Sequence, residues 1–161
     1  MRRMGSVAAV IVAVVALGGV WGFGNERADA AAENEMERRG CSEATLRGAY
    51  GIQMQGTRPS GPGGPIESAV GVVIRHYDGR GEFSQVDNVK GFISGLVPDR
   101  EGFGTYEVNA NCTGVTHFQP GPGISIEERF VIVNKGREVL SMVSSPPPVM
   151  ITTTQKKIDW R

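Results

Sequence analysis

The chain has 161 residues, with 17 basic side chains balanced by 17 acidic ones, 23 glycines, nine prolines and two cysteines. Its basic residues do not cluster beyond short pairs such as Arg38-Arg39 and Lys156-Lys157, so it lacks the electrostatic footprint of a nucleic-acid partner or of attraction to an anionic membrane. A glycine excess without a collagen repeat suits a sheet protein rich in sharp turns and bends.

The N-terminus reads as a secretory signal peptide over residues 1–30. Arg2 and Arg3 precede an apolar run from Val7 to Val20, and Ala28-Asp29-Ala30 supplies a small-x-small site. Cleavage after Ala30 removes three arginines and two acids, leaving one more acidic than basic side chain. The other reading is an uncleaved anchor, since the apolar stretch approaches the ~20 residues that span a bilayer. Cleavage predicts a secreted or periplasmic protein with no stable membrane insertion. The mature chain is then the size of one domain, by the usual ~100–200 residues. Two cysteines, Cys41 and Cys112, in an exported chain read as one disulfide. A metal site would need neighbouring ligands, and a catalytic thiol would not need the second cysteine.

Residues 31–40 form a polar, flexible leader. Ser42 can cap a short helical turn that Gly48 ends. The first strand is expected over 49–55, with Tyr50, Ile52 and Met54 on one face. A Pro/Gly-rich loop over 56–65 comes after it. Next is a β-hairpin whose arms flank Asp78-Gly79-Arg80-Gly81, a turn in which glycine supplies positive φ. Its first arm carries Val70, Val72, Ile74 and His76 on one face. Strands are expected over 91–97 and 103–108, separated by a break at Pro98-Asp99-Arg100-Glu101-Gly102. The last four are expected over 115–119, 124–133, 138–144 and 149–155, ahead of a charged tail at 156–161.

Eight or nine short strands separated by turn clusters, with no amphipathic helix long enough to organise a core, predict an all-β fold. A single antiparallel barrel over 41–155 accommodates so many strands without exposed edges. Tyr50, Ile52, Met54, Val70, Val72, Ile74, Tyr106, Val108, Phe130 and Ile132 are expected to be buried. The lumen-facing set is Tyr50, Ile52, Met54, Val72, Ile74, His76, Tyr106, Glu128 and Phe130.

Three stretches also carry a resemblance. Cys41-Ser42-x-Ala44-Thr45-Leu46-x-Gly48-x-Tyr50-Gly51, Asp78-Gly79-x-Gly81-x-Phe83 and Tyr106-x-Val108-Asn109-x-x-Cys112-Thr113-Gly114 resemble small secreted bacterial proteins similar to the allene oxide cyclase-like barrel family. The resemblance implies an eight-stranded antiparallel barrel related in shape to lipocalins, with a lumen that in some relatives holds a lipid or a cyclising substrate. None of the plant cyclase's catalytic positions matches a residue here, and the Gly-x-Trp of the lipocalin first strand is missing.

Isolated titratable residues set the remaining chemistry. His76 and His117 could act as an acid–base pair or bind a metal, but a metal would need a third donor. Glu107 and Glu128 sit among apolar neighbours, the environment that raises a carboxyl pKa. There is no Ser-His-Asp order with an elbow motif, no phosphate-binding Gly loop and no Cys-x-x-Cys. No catalytic residue, metal or cofactor is therefore expected. Three readings stay open: a barrel that binds an apolar small molecule or serves as a structural module, a cyclase or isomerase, and a surface interaction protein using the Pro/Gly-rich loops.

Overall fold

A computed structural model describes residues 40–121 and 123–159. The expected signal peptide, all of the leader except Gly40, and the final two residues of the tail lie outside the described residues. Eight strands run β1 (Arg47–Pro59), β2 (Ile66–Asp78), β3 (Glu82–Gly91), β4 (Gly95–Val108), β5 (Thr113–Gly121), β6 (Ile124–Val133), β7 (Glu138–Ser145) and β8 (Met150–Lys157). Each pairs antiparallel with the next, and β8 returns to β1 from Tyr50↔Lys157 to Thr57↔Met150, closing the barrel. Among the described residues the only helical pieces are single 3-10 turns, Glu43–Thr45 and Asn134–Gly136, and no helix is long and apolar enough to cross a membrane.

The β2–β3 hairpin forms where turn chemistry places it. Asp78 Oδ1 accepts from the backbone N–H groups of Arg80 (2.7 Å) and Glu82 (3.0 Å), and Gly79 and Gly81 take φ of 79° and 107°. Tyr77 then pairs with Phe83, both facing inward.

The expected break at 98–102 is instead a bulge inside one continuous strand. Asp87 pairs with Arg100 but Val89 pairs with Val97, so Pro98 and Asp99 together oppose Asn88. Pro98 lacks an N–H, and a bulge is where a sheet tolerates that loss. Asn88 replaces the lost ladder bonds: its Oδ1 accepts from the Asp99 N–H at 3.2 Å and its Nδ2 donates to Asp99 Oδ1 at 3.3 Å. The extra residue also reverses the alternation, so Val97 and Arg100, three apart, both face the lumen.

One end of the barrel is solid. Leu46, Tyr50, Tyr77, Phe83, Tyr106, Phe118, Phe130, Ile132 and Val139 pack there with Cys41. Tyr77 stands edge-on to Tyr50 and Tyr106, with centroids at 5.3 and 5.0 Å, the arrangement that aromatic quadrupoles favour. Rings of this size fit because the adjacent strand carries glycine beside them: a Cβ on Gly114 would lie 2.1 Å from Phe130 Cζ, and one on Gly102 2.4 Å from Phe118 Cε2.

The Glu43–Thr45 turn plugs this end. It is shorter than expected, since β1 already begins at Arg47. The Tyr106 hydroxyl bridges the carbonyls of Glu43 and Leu46, at 3.0 Å from each, and the Cys41–Cys112 disulfide ties the plug to the β4–β5 turn.

Candidate functional site

Above the aromatic plug the barrel is hollow. The cavity measures about 450 Å³, within the ~300–1,000 Å³ that small-molecule sites occupy. Its walls are mainly aliphatic: Ile52 on β1, Val73 on β2, Val89 on β3, Ile126 on β6, Val143 on β7 and Ile151 on β8. The Pro59–Gly63 stretch and Pro146 border its mouth.

The floor is a buried polar network between the apolar wall and the aromatic plug. Arg75 is 3% exposed and its guanidinium lies 4.2 Å above the Phe83 ring centroid. Its Nε donates to Gln85 Oε1 (2.8 Å), and Nη1 donates to Tyr77 Oη and Glu128 Oε2, both at 3.1 Å. Glu128 Oε2 also accepts from the Thr116 hydroxyl at 2.9 Å. Tyr77 Oη donates onward to Gln155 Oε1 at 2.9 Å, and burial raises the Tyr77 pKa, keeping the phenol neutral. Gln85 Nε2 donates to Asp87 Oδ2 (3.2 Å), and Arg100 grips Asp87 through two bonds of 3.0 and 3.1 Å.

A second cluster holds the mouth. Glu67, at the start of β2, accepts from the Ile93 and Ser94 N–H groups (2.7 and 2.8 Å), the Ser94 hydroxyl (2.6 Å) and Arg58 Nε (3.3 Å). The Ser94 hydrogen bonds, helped by those of Ile93 and the Arg58 charge, lower its pKa to about 2. The β3–β4 turn is thereby fastened to β1 and β2.

Of the residues expected to line the lumen, Ile52, Met54 and Glu128 line the cavity. Tyr50, Tyr106 and Phe130 face inward but belong to the plug below it. Val72 and His76 are exposed on the barrel's outside, Val72 to 62%, and the half-buried Ile74 alternates with them on that outer face. Val70 is also outside, contrary to its expected burial, while Ile132 is buried and Val108 partly buried against the plug.

The reversal on β2 has a physical origin. Both faces of this strand are apolar, and the outer set Val70, Val72 and Ile74 outweighs an inner set of Ala69, Val73, Arg75 and Tyr77 diluted by an arginine. Weighing hydrophobicity alone selects the wrong face, and a period of two turns that error into a complete inversion. Cross-strand pairing would have corrected it, because Tyr50 pairs with Arg75 and Ile52 with Val73, and directly opposed residues share a face.

His117 and Glu107 also lie exposed on the outside. The two histidines and the two glutamates therefore form no shared centre, and among the described residues no group of three or more His, Cys, Asp or Glu could hold a metal ion. Arg75, Gln85, Asp87 and Arg100 escaped the sequence reading because each is an ordinary polar residue locally. The signal for Arg75 is its place between Val73 and Tyr77, on the face that β2 shares with Tyr50 and Ile52 of β1.

No protein-family model matches the chain, and no curated protein matches it. Among solved structures it is similar to the S-type phycobiliprotein lyase CPES from Guillardia theta, with 7% sequence identity and a TM-score of 0.40 over 81% of this chain and 94% of that one.

Proposed function

We propose that this chain is an exported small β-barrel that binds an apolar small molecule in its lumen. The observation that carries this reading is the hollow, aliphatic-walled upper barrel, bordered by the Pro59–Gly63 stretch. A structural module or an interaction protein has no need of such a space, because side chains of ordinary size fill an eight-stranded barrel. Burial of apolar ligand surface, at about 25 cal/mol per Å², is the driving force. Export is supported by the charged, apolar and small-x-small order of residues 1–30 and by the Cys41–Cys112 pair. The motif resemblance to secreted bacterial proteins of the allene oxide cyclase-like kind is in keeping with both points.

Two adjacent residues on opposite faces of β2 provide the test. The purified chain is titrated with an apolar fluorescent probe whose emission rises on desolvation. Val73→Phe, which fills the lumen, should weaken binding at least tenfold, about 1.4 kcal/mol, whereas Val72→Phe, on the outside, should change it less than about twofold. Equal effects of the two substitutions, or no probe binding to the unmodified chain, would refute lumen binding.

A further inference from the structure

The lumen arginines are charge-balanced. Arg58 has Glu67 at 3.3 Å, Arg100 holds Asp87 bidentately and Arg75 has Glu128 at 3.1 Å. Hydrogen-bonding capacity is not balanced in the same way. Arg75 uses Nε and Nη1, while its Nη2, with two N–H groups, donates to no described residue. Glu128 uses Oε2 twice, while Oε1 accepts from no described residue.

Among the described residues, no fully enclosed side-chain nitrogen or oxygen lacks a partner. Arg75 Nη2 and Glu128 Oε1 must therefore reach open space, and the open space that both residues line is the cavity. With Arg75 3% and Glu128 6% exposed, only a small part of each side chain faces that space, so a ligand in the cavity meets the pair with one end.

Resting on the lumen-binding reading, we propose that the ligand is an uncharged apolar molecule ending in a paired carbonyl and donor, such as a primary amide or lactam edge. The carbonyl oxygen accepts from Arg75 Nη2 and the neighbouring N–H donates to Glu128 Oε1. An ionised carboxylate fits less well for two reasons. It brings a third charge into a site where each arginine already has its acid, and it sets that charge beside Glu128 with no donor to offer it. A head that satisfies both open atoms desolvates neither without compensation.

The test displaces the apolar fluorophore from the full chain at pH 8 with four probes built on the same ten-carbon chain: decanamide, N,N-dimethyldecanamide, decanoate and decane. Decanamide should bind at least about tenfold more tightly than each of the others. Glu128→Gln, which keeps the side chain's shape, should erase the preference for decanamide over its dimethyl analogue; where that variant fails to fold, the four-probe ranking decides alone. Decanoate binding as tightly as decanamide would overturn the uncharged head, and equal binding of all four would show that the head makes no contact. In both cases lumen binding itself survives. If neither fluorophore nor probe binds, the lumen-binding reading falls with the proposal.

Discussion

Arg75 and Glu128 meet across the lumen from β2 and β6, strands that are not neighbours in the barrel, with Nη1 3.1 Å from Oε2. The pair is held by Gln85, Tyr77 and Thr116, so removing one member leaves the other charged, buried and deprived of its partner. Arg75→Met should lower unfolding free energy by about 3–5 kcal/mol, and the double substitution Arg75→Met with Glu128→Leu should recover much of that loss. Urea unfolding of the two single variants and the double variant measures the coupling. Strictly additive losses would show that the pair is not an energetic unit.

The disulfide closes a long loop at the solid end of the barrel, since Cys41 and Cys112 are 71 residues apart. Replacing both with serine should cost about 4 kcal/mol on the chain-entropy model. Urea midpoints of the oxidised chain and the double serine variant give the value. Two free thiols in denatured, unreduced protein would contradict the bond itself.

Glycine at an inward position near the plug should prove irreplaceable by even one methyl group. Gly114→Ala sets a Cβ 2.1 Å from the Phe130 ring, and overpacking of this kind costs about 1–3 kcal/mol. Gly61→Ala, with nothing within 4 Å of its Cβ, is the matched control and should melt with the parent. Thermal unfolding of the two variants makes the comparison.

The Glu67 clasp predicts a pH dependence of the mouth. Its pKa is lowered to about 2 in the folded chain, chiefly by the Ser94 hydrogen bonds, so the native state binds its proton less readily than the unfolded state. The stabilisation is complete above the ordinary value of 4.5 and is lost as pH falls toward 2. Hydrogen exchange at the Ile93 and Ser94 amides, corrected for intrinsic rate, should show protection falling through that window. Glu67→Gln should flatten the dependence, and unchanged protection down to pH 2 in the parent would contradict the clasp.

Local chemistry in the sequence determined the all-β class, the near-count of strands, the Asp78–Gly81 turn, the inner face of β1 and the cysteine pairing. Each rests on residues a few positions apart, or on parity, and needs no knowledge of the rest of the chain. Tertiary structure decided which face of β2 looks inward, because both faces are apolar and only pairing with Tyr50 and Ile52 distinguishes them. It also decided that Pro98 and Asp99 lie in a bulge rather than a break, since Asn88 on β3 supplies the missing hydrogen bonds. Above all it decided the polar floor. Arg75, Gln85, Asp87 and Glu128 come from three strands, and barrel closure, a property of long-range register, is what sets them around one cavity.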